Sequence, residues 1–119
     1  IRQDLYVVGA EQDHIVPWQG AWQISRLANG KTRYVLAASG HIAGVISPPS
    51  KGRGYWVNEK RAASPEAWLN RAERRDGSWW SDWLEWLRPR SGKQVAPPAL
   101  GSSAHPPIAP APGTYVLEK

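Results

Sequence analysis

The stretch Leu5–Trp18, LYVVGAEQDHIVPW, decides the fold that this sequence predicts. It opens with a short, continuous apolar run that ends in Gly9, and such runs are typical of buried strands, often in parallel sheets. Pro17 suits the first turn of a helix, because its missing N–H is not needed there. Four residues then recur at the spacing of one helix face: Trp18, Ala21, Trp22 and Ser25. We therefore predict a strand over 5–9 and a helix over 17–28.

A second strand follows the predicted helix after one turn. Asn29 and Gly30 form a helix-ending pair, and the segment 31–38, KTRYVLAA, is rich in β-branched and aromatic residues. A strand, a helix and a strand within about 35 residues is the pattern of a parallel pair joined by a right-handed crossover. The sequence therefore predicts an α/β fold with two adjacent parallel strands.

The remaining apolar segments predict shorter elements. Tyr55–Val57 is a candidate for a short extended segment. Ser64, followed by proline and glutamate, is a typical helix start, and we predict a helix from there to about Asp76. Ser78 is the candidate cap of a last helix, which Pro89 ends. The apolar stripe predicted for this last helix, which we expect to pack on the sheet, consists of Trp80, Trp83, Leu84 and Leu87.

The composition limits the chemistry that the chain carries. Its 119 residues suffice for one small domain, with 8 Trp, no Met and no Cys. The lack of Cys excludes disulfides, thiolate metal sites and a cysteine nucleophile within the chain. No secretory signal pattern is present, and no apolar run is long enough to span a bilayer. We expect the sequence to be a piece of a longer protein, and marginally stable on its own because two strands seldom fold independently.

Charge and histidine content give no sign of a nucleic-acid or metal site. The net charge is +5, but the basic residues lie beside turns and helix ends, where we expect a solvated surface and no nucleic-acid partner. The 3 His residues lack metal-ligand spacing, so we expect no metal. Beyond Arg88 the composition shifts, and seven of the 11 prolines lie in this last part. We predict an extended arm over 89–119.

An acidic residue and a histidine follow the two predicted strands. Asp13 lies about four residues past the first strand, and His41 lies about three past the second. In an open parallel sheet both positions fall in the crevice outside the strand ends, where ligands bind. A carboxylate on one imidazole nitrogen fixes the tautomer, so that the other nitrogen accepts a proton from a nucleophile. The alternative is that Asp13 caps a turn and His41 is an ordinary loop histidine.

Several motifs in order give a more specific interpretation. EQDHIVPW, ASGHIAGVISPP, GSWWSDWLEWL and the terminal APAPGTYV resemble the C-terminal part of poly(3-hydroxyalkanoate) synthases, most closely the class I enzymes. The resemblance extends from Leu5 to Val116. It implies that 1–88 is the C-terminal part of an α/β-hydrolase-like catalytic domain: the last core strands with their crossover helix, then terminal helices ahead of the Pro-rich arm.

The resemblance also implies a reaction and the residues that take part in it. Asp13 matches the aspartate and His41 the histidine of the family's Cys–His–Asp triad, whose cysteine belongs to an upstream segment. The reaction is acyl transfer from (R)-3-hydroxyacyl-CoA to a growing polyester, with release of coenzyme A and no cofactor. The family works as homodimers on polyester granules in the cytoplasm, and we expect this chain to be inactive alone.

Alternatives remain at several positions. An upstream serine in place of cysteine predicts an esterase of the same fold, whereas a non-catalytic, Trp-rich granule-binding module predicts that Asp13 and His41 are not in contact. His14 is a candidate for lining the substrate site, although alternation along an extended segment favours the opposite side. In the last helix, Trp79 and Trp86 lie off the predicted stripe, which makes them the better candidates for an exposed contact with polymer.

Overall fold

A computed structural model of the chain describes residues 1–118, which form a mixed α/β fold around one four-stranded sheet. The strands, numbered along the chain, are β1 (Leu5–Ala10), β2 (Thr32–Ala37), β3 (Tyr55–Val57) and β4 (Glu73–Arg75). The α-helices are α1 (Trp18–Trp22), α2 (Ile24–Leu27), α3 (Pro65–Leu69) and α4 (Trp79–Leu87). Single 3₁₀ turns lie at Pro49–Lys51, Arg88–Arg90 and Tyr115–Leu117.

The predicted parallel pair forms one side of the sheet, whose strand order is β1-β2-β3-β4. Strands β1 and β2 are parallel, in a register that runs from Leu5 opposite Thr32 to Ala10 opposite Ala37. The next two strands extend the sheet on the other side of β2, and both of their pairings are antiparallel. The prediction of two adjacent parallel strands is confirmed, and so is the short strand over Tyr55–Val57.

Alternation along β2 divides the core between the two faces of the sheet. Tyr34 and Leu36 point to one face, whereas Val35 and Ala37 point to the other, as the two-residue period of a strand requires. The first face is covered by α1 and α3, which pack the buried rings of Trp18, Trp22 and Trp68 against it. The second face is covered by the start of α4, where Trp79 packs with Val57 and Tyr55. Helices on both faces bury the last four residues of β2, from Tyr34 to Ala37.

The crossover helix is shorter and less regular than predicted. Instead of one helix over 17–28, the chain forms α1 and α2, which meet at Gln23. At that junction the Gln23 N–H bonds the Gly20 carbonyl and the Arg26 N–H bonds the Gln23 carbonyl. Both bonds span three residues and tighten the turn, which interrupts the α-helical ladder. The crossover topology is unaffected.

The predicted helix from Ser64 to Asp76 is wrong in its second half. Ser64 does cap α3, since its Oγ accepts the Ala67 N–H at 3.1 Å, but the helix ends at Leu69. The segment Glu73–Arg75 then pairs with β3 as the strand β4. Backbone pairing with the edge of the sheet therefore outweighs the helical pattern of this segment. Helix propensity describes a segment alone, so it cannot predict a pairing with a strand elsewhere in the chain.

The inward face of α4 is also different from the prediction. Trp79 is only 8% exposed, whereas Trp83 is 38% and Leu84 50% exposed. Trp86, half-buried, meets the Tyr6 ring edge-on at 5.6 Å. The predicted stripe is therefore wrong at Trp83 and Leu84, whereas Trp80 does pack against the core. The idea that Trp79 is an exposed contact is also wrong. The physical reason is a buried acid one turn into the helix, Asp82, which the apolar pattern ignores.

Asp82 lies at the centre of a charged cluster that fastens α4 to the sheet. Its side chain is 2% exposed and is bound by the Arg33 guanidinium through two hydrogen bonds, one of them 2.7 Å from Nε to Oδ2. The Tyr6 hydroxyl donates to the same Oδ2 at 2.8 Å, and Arg75 lies 3.4 Å from Oδ1. Burial pushes the pKa of Asp82 up, but the bonds from Arg33 and Tyr6 outweigh it and hold the pKa below its usual value. Rotating α4 to bury the predicted stripe would pull Asp82 away from Arg33.

Residues 91–118 contribute no buried residue to the core. Residues 91–112 are all exposed, and within the described part of this arm the one regular element is the turn at Tyr115–Leu117. Every helix within residues 1–118 is too short or too polar to cross a bilayer.

Candidate active site

The candidate site is built on the two loops that leave the carboxyl ends of β1 and β2. Pairing of the two chains continues past the strands: the Glu11 N–H donates to the Ala37 carbonyl and the Gln12 N–H donates to the Ser39 carbonyl, each at 2.9 Å. The first residues of both loops are therefore held side by side. This places the next side chain of each loop, Asp13 on one and His41 on the other, at the same edge of the sheet.

Asp13 is fixed by the turn that it caps. Its Oδ1 accepts the backbone N–H groups of Ile15 and Val16, both at 2.9 Å, and its own N–H bonds the Ala10 carbonyl at 3.2 Å. Three hydrogen bonds hold the pKa of Asp13 at about 2, against a usual value of 3.8. The bond from the Val16 N–H has the largest effect, followed by those from His41 and the Ile15 N–H, while partial burial raises the pKa. Asp13 is therefore a carboxylate throughout the neutral range, with Oδ2 directed away from the turn.

His41 meets that second oxygen. Its Nδ1 lies 2.8 Å from Asp13 Oδ2, and the imidazole side chain is 43% exposed while the carboxylate side chain is 8% exposed. The carboxylate selects the tautomer with the proton on Nδ1, so Nε2 carries the lone pair. Within the described residues, Nε2 has no hydrogen-bond partner in the protein. The arrangement is that of a base whose free nitrogen is open to a reactant.

His14 lies apart from this pair. It is exposed, and it is absent from the lining of the cavity beside Asp13 and His41. Asp13 and His14 lie in a turn and not in an extended strand, so the alternation used in the sequence argument does not apply here, and the role of His14 stays a prediction.

A mainly apolar cavity of about 430 Å³ opens beside His41. Besides the two polar residues, its wall consists of Val8, Gly9, Ala10, Val16, Ala21, Ile42, Val45 and Ile46. Its outer part is exposed: Ile42 is 74%, Ile46 62% and Val16 50% exposed. Such a surface favours contact with apolar groups next to the imidazole.

The sequence arguments missed these apolar wall residues. Their signal lies in the same two motifs, since Val16 follows Asp13 by three positions and Ile42 directly follows His41. Isolated aliphatic residues in loops are common, so in the sequence alone they do not indicate a binding site. Only the fold shows that both loops turn them towards one cavity.

Fold and geometry together define a class: a mixed α/β protein with a carboxylate–imidazole pair and an apolar cavity at the carboxyl edge of a parallel strand pair. Comparison with known proteins is more specific. The chain is 45% identical over 121 residues to poly(3-hydroxyalkanoate) polymerase 2 of Ectopseudomonas oleovorans. It is 47% identical over 116 residues to the poly(3-hydroxyalkanoate) polymerase subunit PhaC of Cupriavidus necator, and 36% identical over 120 residues to that of Rhizobium etli.

These three matches cover 96 to 100% of the chain but only 19 to 22% of each relative. The chain therefore spans about a fifth of the length of the curated relatives it matches. The resemblance predicted from the motifs is confirmed: the sequence corresponds to a segment of the poly(3-hydroxyalkanoate) polymerases. No protein-family model matches the chain.

Proposed function

We propose that this chain is the C-terminal part of a polymerase that joins (R)-3-hydroxyacyl-CoA units into polyhydroxyalkanoate. In this proposal β1 and β2 are the last core strands of an α/β-hydrolase-like domain, and Asp13 and His41 are the acid and base of a Cys–His–Asp triad. The observation that carries it is the 2.8 Å contact between Asp13 and His41 beside an apolar cavity. Identity to three polymerases over nearly the whole chain supports the choice of reaction.

The chain has no cysteine, so the nucleophile is supplied by another part of the protein. His41 Nε2 takes the proton of the cysteine thiol, which is mostly protonated at neutral pH. The thiolate attacks the thioester carbonyl of the substrate, a new C–S bond forms, and the bond to coenzyme A breaks. The proton held by His41 passes to the departing thiolate, while Asp13 stabilises the imidazolium that exists between the two transfers.

Chain growth uses the same base a second time. The hydroxyl of one hydroxyacyl unit attacks the thioester carbonyl of another, so a C–O bond forms and a C–S bond breaks. His41 Nε2 accepts the hydroxyl proton and returns it to the sulfur that leaves. Asp13 assists by holding Nδ1–H. The apolar wall at Val16, Ile42 and Ile46 suits the methylene and methyl groups of such units.

The full protein in this proposal acts as a homodimer on the surface of polyester granules in the cytoplasm, with no cofactor and no nucleic-acid partner. The absence of a helix able to cross a bilayer within the described residues is compatible with association at a surface. Which acyl chain lengths are accepted depends on walls of the site that this chain does not supply.

The test is a chimera in which this chain replaces the segment that it matches in the Cupriavidus necator polymerase subunit. Polymer formation from 3-hydroxybutyryl-CoA, followed by release of free coenzyme A, is expected in the chimera. It should fall by about 10²- to 10⁴-fold in His41→Ala. His105→Ala is the matched control, because His105 lies exposed in the Pro-rich arm.

Full polymer formation by His41→Ala would overturn the proposed role of the base. Activity lost equally in His105→Ala would point to a general folding defect. The same chimera decides the role of His14: a fall in the rate with His14→Ala, at unchanged thermal stability, would place that residue in the substrate site.

A further inference from the structure

The loop that carries His41 is a helical turn that does not continue into a helix. The Gly44 N–H bonds the Gly40 carbonyl and the Ile46 N–H bonds the Ile42 carbonyl, both at 2.8 Å. As at the end of any helix, the carbonyls of the last turn have no N–H partner from a following turn, although the Val45 carbonyl accepts one local bond from the Ser47 N–H at 3.0 Å. Here these carbonyls belong to Gly44, Val45 and Ser47, three to six residues beyond the histidine.

Donors for all three carbonyls come from the start of α4. Trp79 Nε1–H donates to the Gly44 carbonyl at 2.8 Å, and Trp80 Nε1–H donates to the Val45 carbonyl at 3.1 Å. The Ser78 hydroxyl donates to the Ser47 carbonyl. We call Ser78, Trp79 and Trp80 the loop clamp. Its three bonds link segments that are 31 to 35 positions apart in sequence.

The loop clamp is itself held by the sheet. Trp79 is 8% exposed, and its ring is stacked near the Tyr6 ring at a centroid distance of 6.1 Å. One turn further along α4, Asp82 is bound by Arg33 of β2 and by Tyr6 of β1. The donors therefore have fixed positions relative to the two strands that carry the candidate site. The His41 loop, which is hydrogen-bonded to these donors, is therefore also held in place relative to the strands.

We propose that Trp79 and Trp80, together with Ser78, are positioning residues for His41: they hold its loop so that Nδ1 stays on Asp13 and Nε2 faces the reactant. The expected effect on catalysis rests on the proposed polymerase function, whereas the position of the His41 loop does not. This proposal assigns a role to the GSWW motif, in which the apolar pattern predicted packing for Trp80 and an exposed contact for Trp79.

The size of the expected effect follows from the demands of proton transfer. A base works only within hydrogen-bond reach of the proton that it removes, and displacement of a reacting group by about 1 Å lowers rates by as much as about a hundredfold. Without these donors, the loop would keep its four short-range backbone bonds but lose the three hydrogen bonds that link it to the start of α4. His41 is 43% exposed, so packing around the imidazole does little to hold it in place.

The decisive variant is Trp80→Phe in the chimera, because it removes one N–H donor from a half-buried position while keeping an aromatic ring. Trp83→Phe is the matched control: the same substitution one turn on, at an exposed residue outside the clamp. We expect kcat about tenfold lower in Trp80→Phe with KM changed less than about twofold, at the same melting temperature as the control. Trp79→Phe also loses packing on Tyr6 and is the less clean variant.

A spectroscopic readout makes the test independent of catalysis. In the chimera labelled with ¹⁵N-histidine, the Nδ1–H proton of His41, assigned by its loss in His41→Ala, should be shifted downfield by the carboxylate. We expect this signal to move upfield or broaden in Trp80→Phe and to stay unchanged in Trp83→Phe. A variant that unfolds only partially would lose intensity without such a shift.

A Trp80→Phe protein with the kcat and the His41 signal of the control would overturn the positioning role. If the parent chimera made no polymer, the proposed function would fail instead. The His41 signal would then still decide the positioning role, because it depends only on where the loop is held.

Discussion

Asp13 Oδ2 lies 2.8 Å from Nδ1 of His41, although the two residues are 28 positions apart in sequence. The contact is produced by a parallel strand pair whose last residues, Ala10 and Ala37, are register partners. Two further backbone bonds then keep the loops adjacent until the functional side chains are reached. A shift of the register would carry the carboxylate about 3.3 Å along the strand for each residue, out of reach of the imidazole.

Asp13 has two tasks, to cap its turn through Oδ1 and to hold His41 through Oδ2, and Asp13→Asn separates them. The Asn oxygen still accepts the N–H groups of Ile15 and Val16, but its amide donates towards His41 and favours the wrong tautomer. We expect chain growth in the chimera to fall about 10²- to 10⁴-fold. The first acylation should fall less, because a cysteine thiol gives up its proton to a weakened base more readily than the alcohol that attacks during growth. Rapid-quench measurement of the coenzyme A burst against the steady-state rate tests this.

Asp13→Ala is the companion variant, because it also removes the acceptor of the turn. It should lower activity and should lower thermal stability more than Asp13→Asn does, because Asn still accepts the two N–H groups of the turn. An equal loss of burst and steady-state rate in Asp13→Asn would contradict a special part for Asp13 in chain growth.

The pH dependence of stability follows from the lowered pKa of Asp13. A carboxylate with a folded-state pKa of about 2 and an ordinary pKa of 3.8 stabilises the fold fully above its ordinary pKa. That contribution decreases as the pH falls below about 4 and is gone once the pH has passed below about 2. In Asp13→Asn, the stability of the chimera should therefore decrease less between pH 4 and pH 2 than in the parent.

Acid unfolding followed by circular dichroism measures this difference. Asp76→Asn is the control, since the Asp76 side chain is 93% exposed and pairs only with Arg74. It should show the acid dependence of the parent. A parent-like slope in Asp13→Asn would mean that the carboxylate is protonated well above pH 2 in the folded protein.

Asp82→Asn tests the charged cluster beneath α4. The amide cannot balance the Arg33 guanidinium, which is 20% exposed, so a cation is left without its main partner in a largely buried site. We expect a loss of about 3 kcal/mol in the free energy of unfolding. Glu85→Gln, an equivalent change at an exposed residue of the same helix, should cost less than about 0.5 kcal/mol.

Urea titration with tryptophan fluorescence gives both values, because the rings of α4 report on its attachment to the sheet. A cost for Asp82→Asn no larger than that for Glu85→Gln would show that packing of Trp79 alone holds the helix. In that case the helix would not depend on its ion pairs.

The sequence was most informative where local patterns and the tertiary structure agree. The apolar run before Gly9 and the β-branched segment after Gly30 predicted β1, β2 and their parallel order, because buried parallel strands need such runs on both faces. The positions of Asp13 and His41 just past those strands predicted their proximity for the same reason. The family motifs added the expected reaction, which no pattern of periodicity contains.

Where tertiary partners decide, the sequence arguments failed. Glu73–Arg75 has a helical pattern but pairs with β3, whose free edge is not visible in the local sequence. In α4 the inward face carries a buried acid, Asp82, bound to Arg33, while the apolar Trp83 and Leu84 are left largely exposed. Likewise the bonds from Trp79 to the His41 loop require both segments to be in place.

Gly44→Ala tests whether the candidate site still works when the His41 loop is pushed away from the end of β1. A Cβ at Gly44 would lie 2.6 Å from the Ala10 Cβ and 2.8 Å from the Gly40 carbonyl, and neither atom belongs to a flexible side chain. The loop must therefore move away from the end of β1, which separates His41 from Asp13. We expect polymer formation by the chimera to fall at least about tenfold.

Gly20→Ala is the matched control for this substitution. No atom lies within 4 Å of a Cβ built at Gly20, which is inside α1, so alanine should stabilise the helix by about 0.5 to 1 kcal/mol and leave polymer formation unchanged. Radiometric polymer assays and thermal melts on the two variants separate the effects. Normal activity of Gly44→Ala would contradict the tight seating of the loop on β1, because a shifted loop cannot keep a 2.8 Å contact between imidazole and carboxylate.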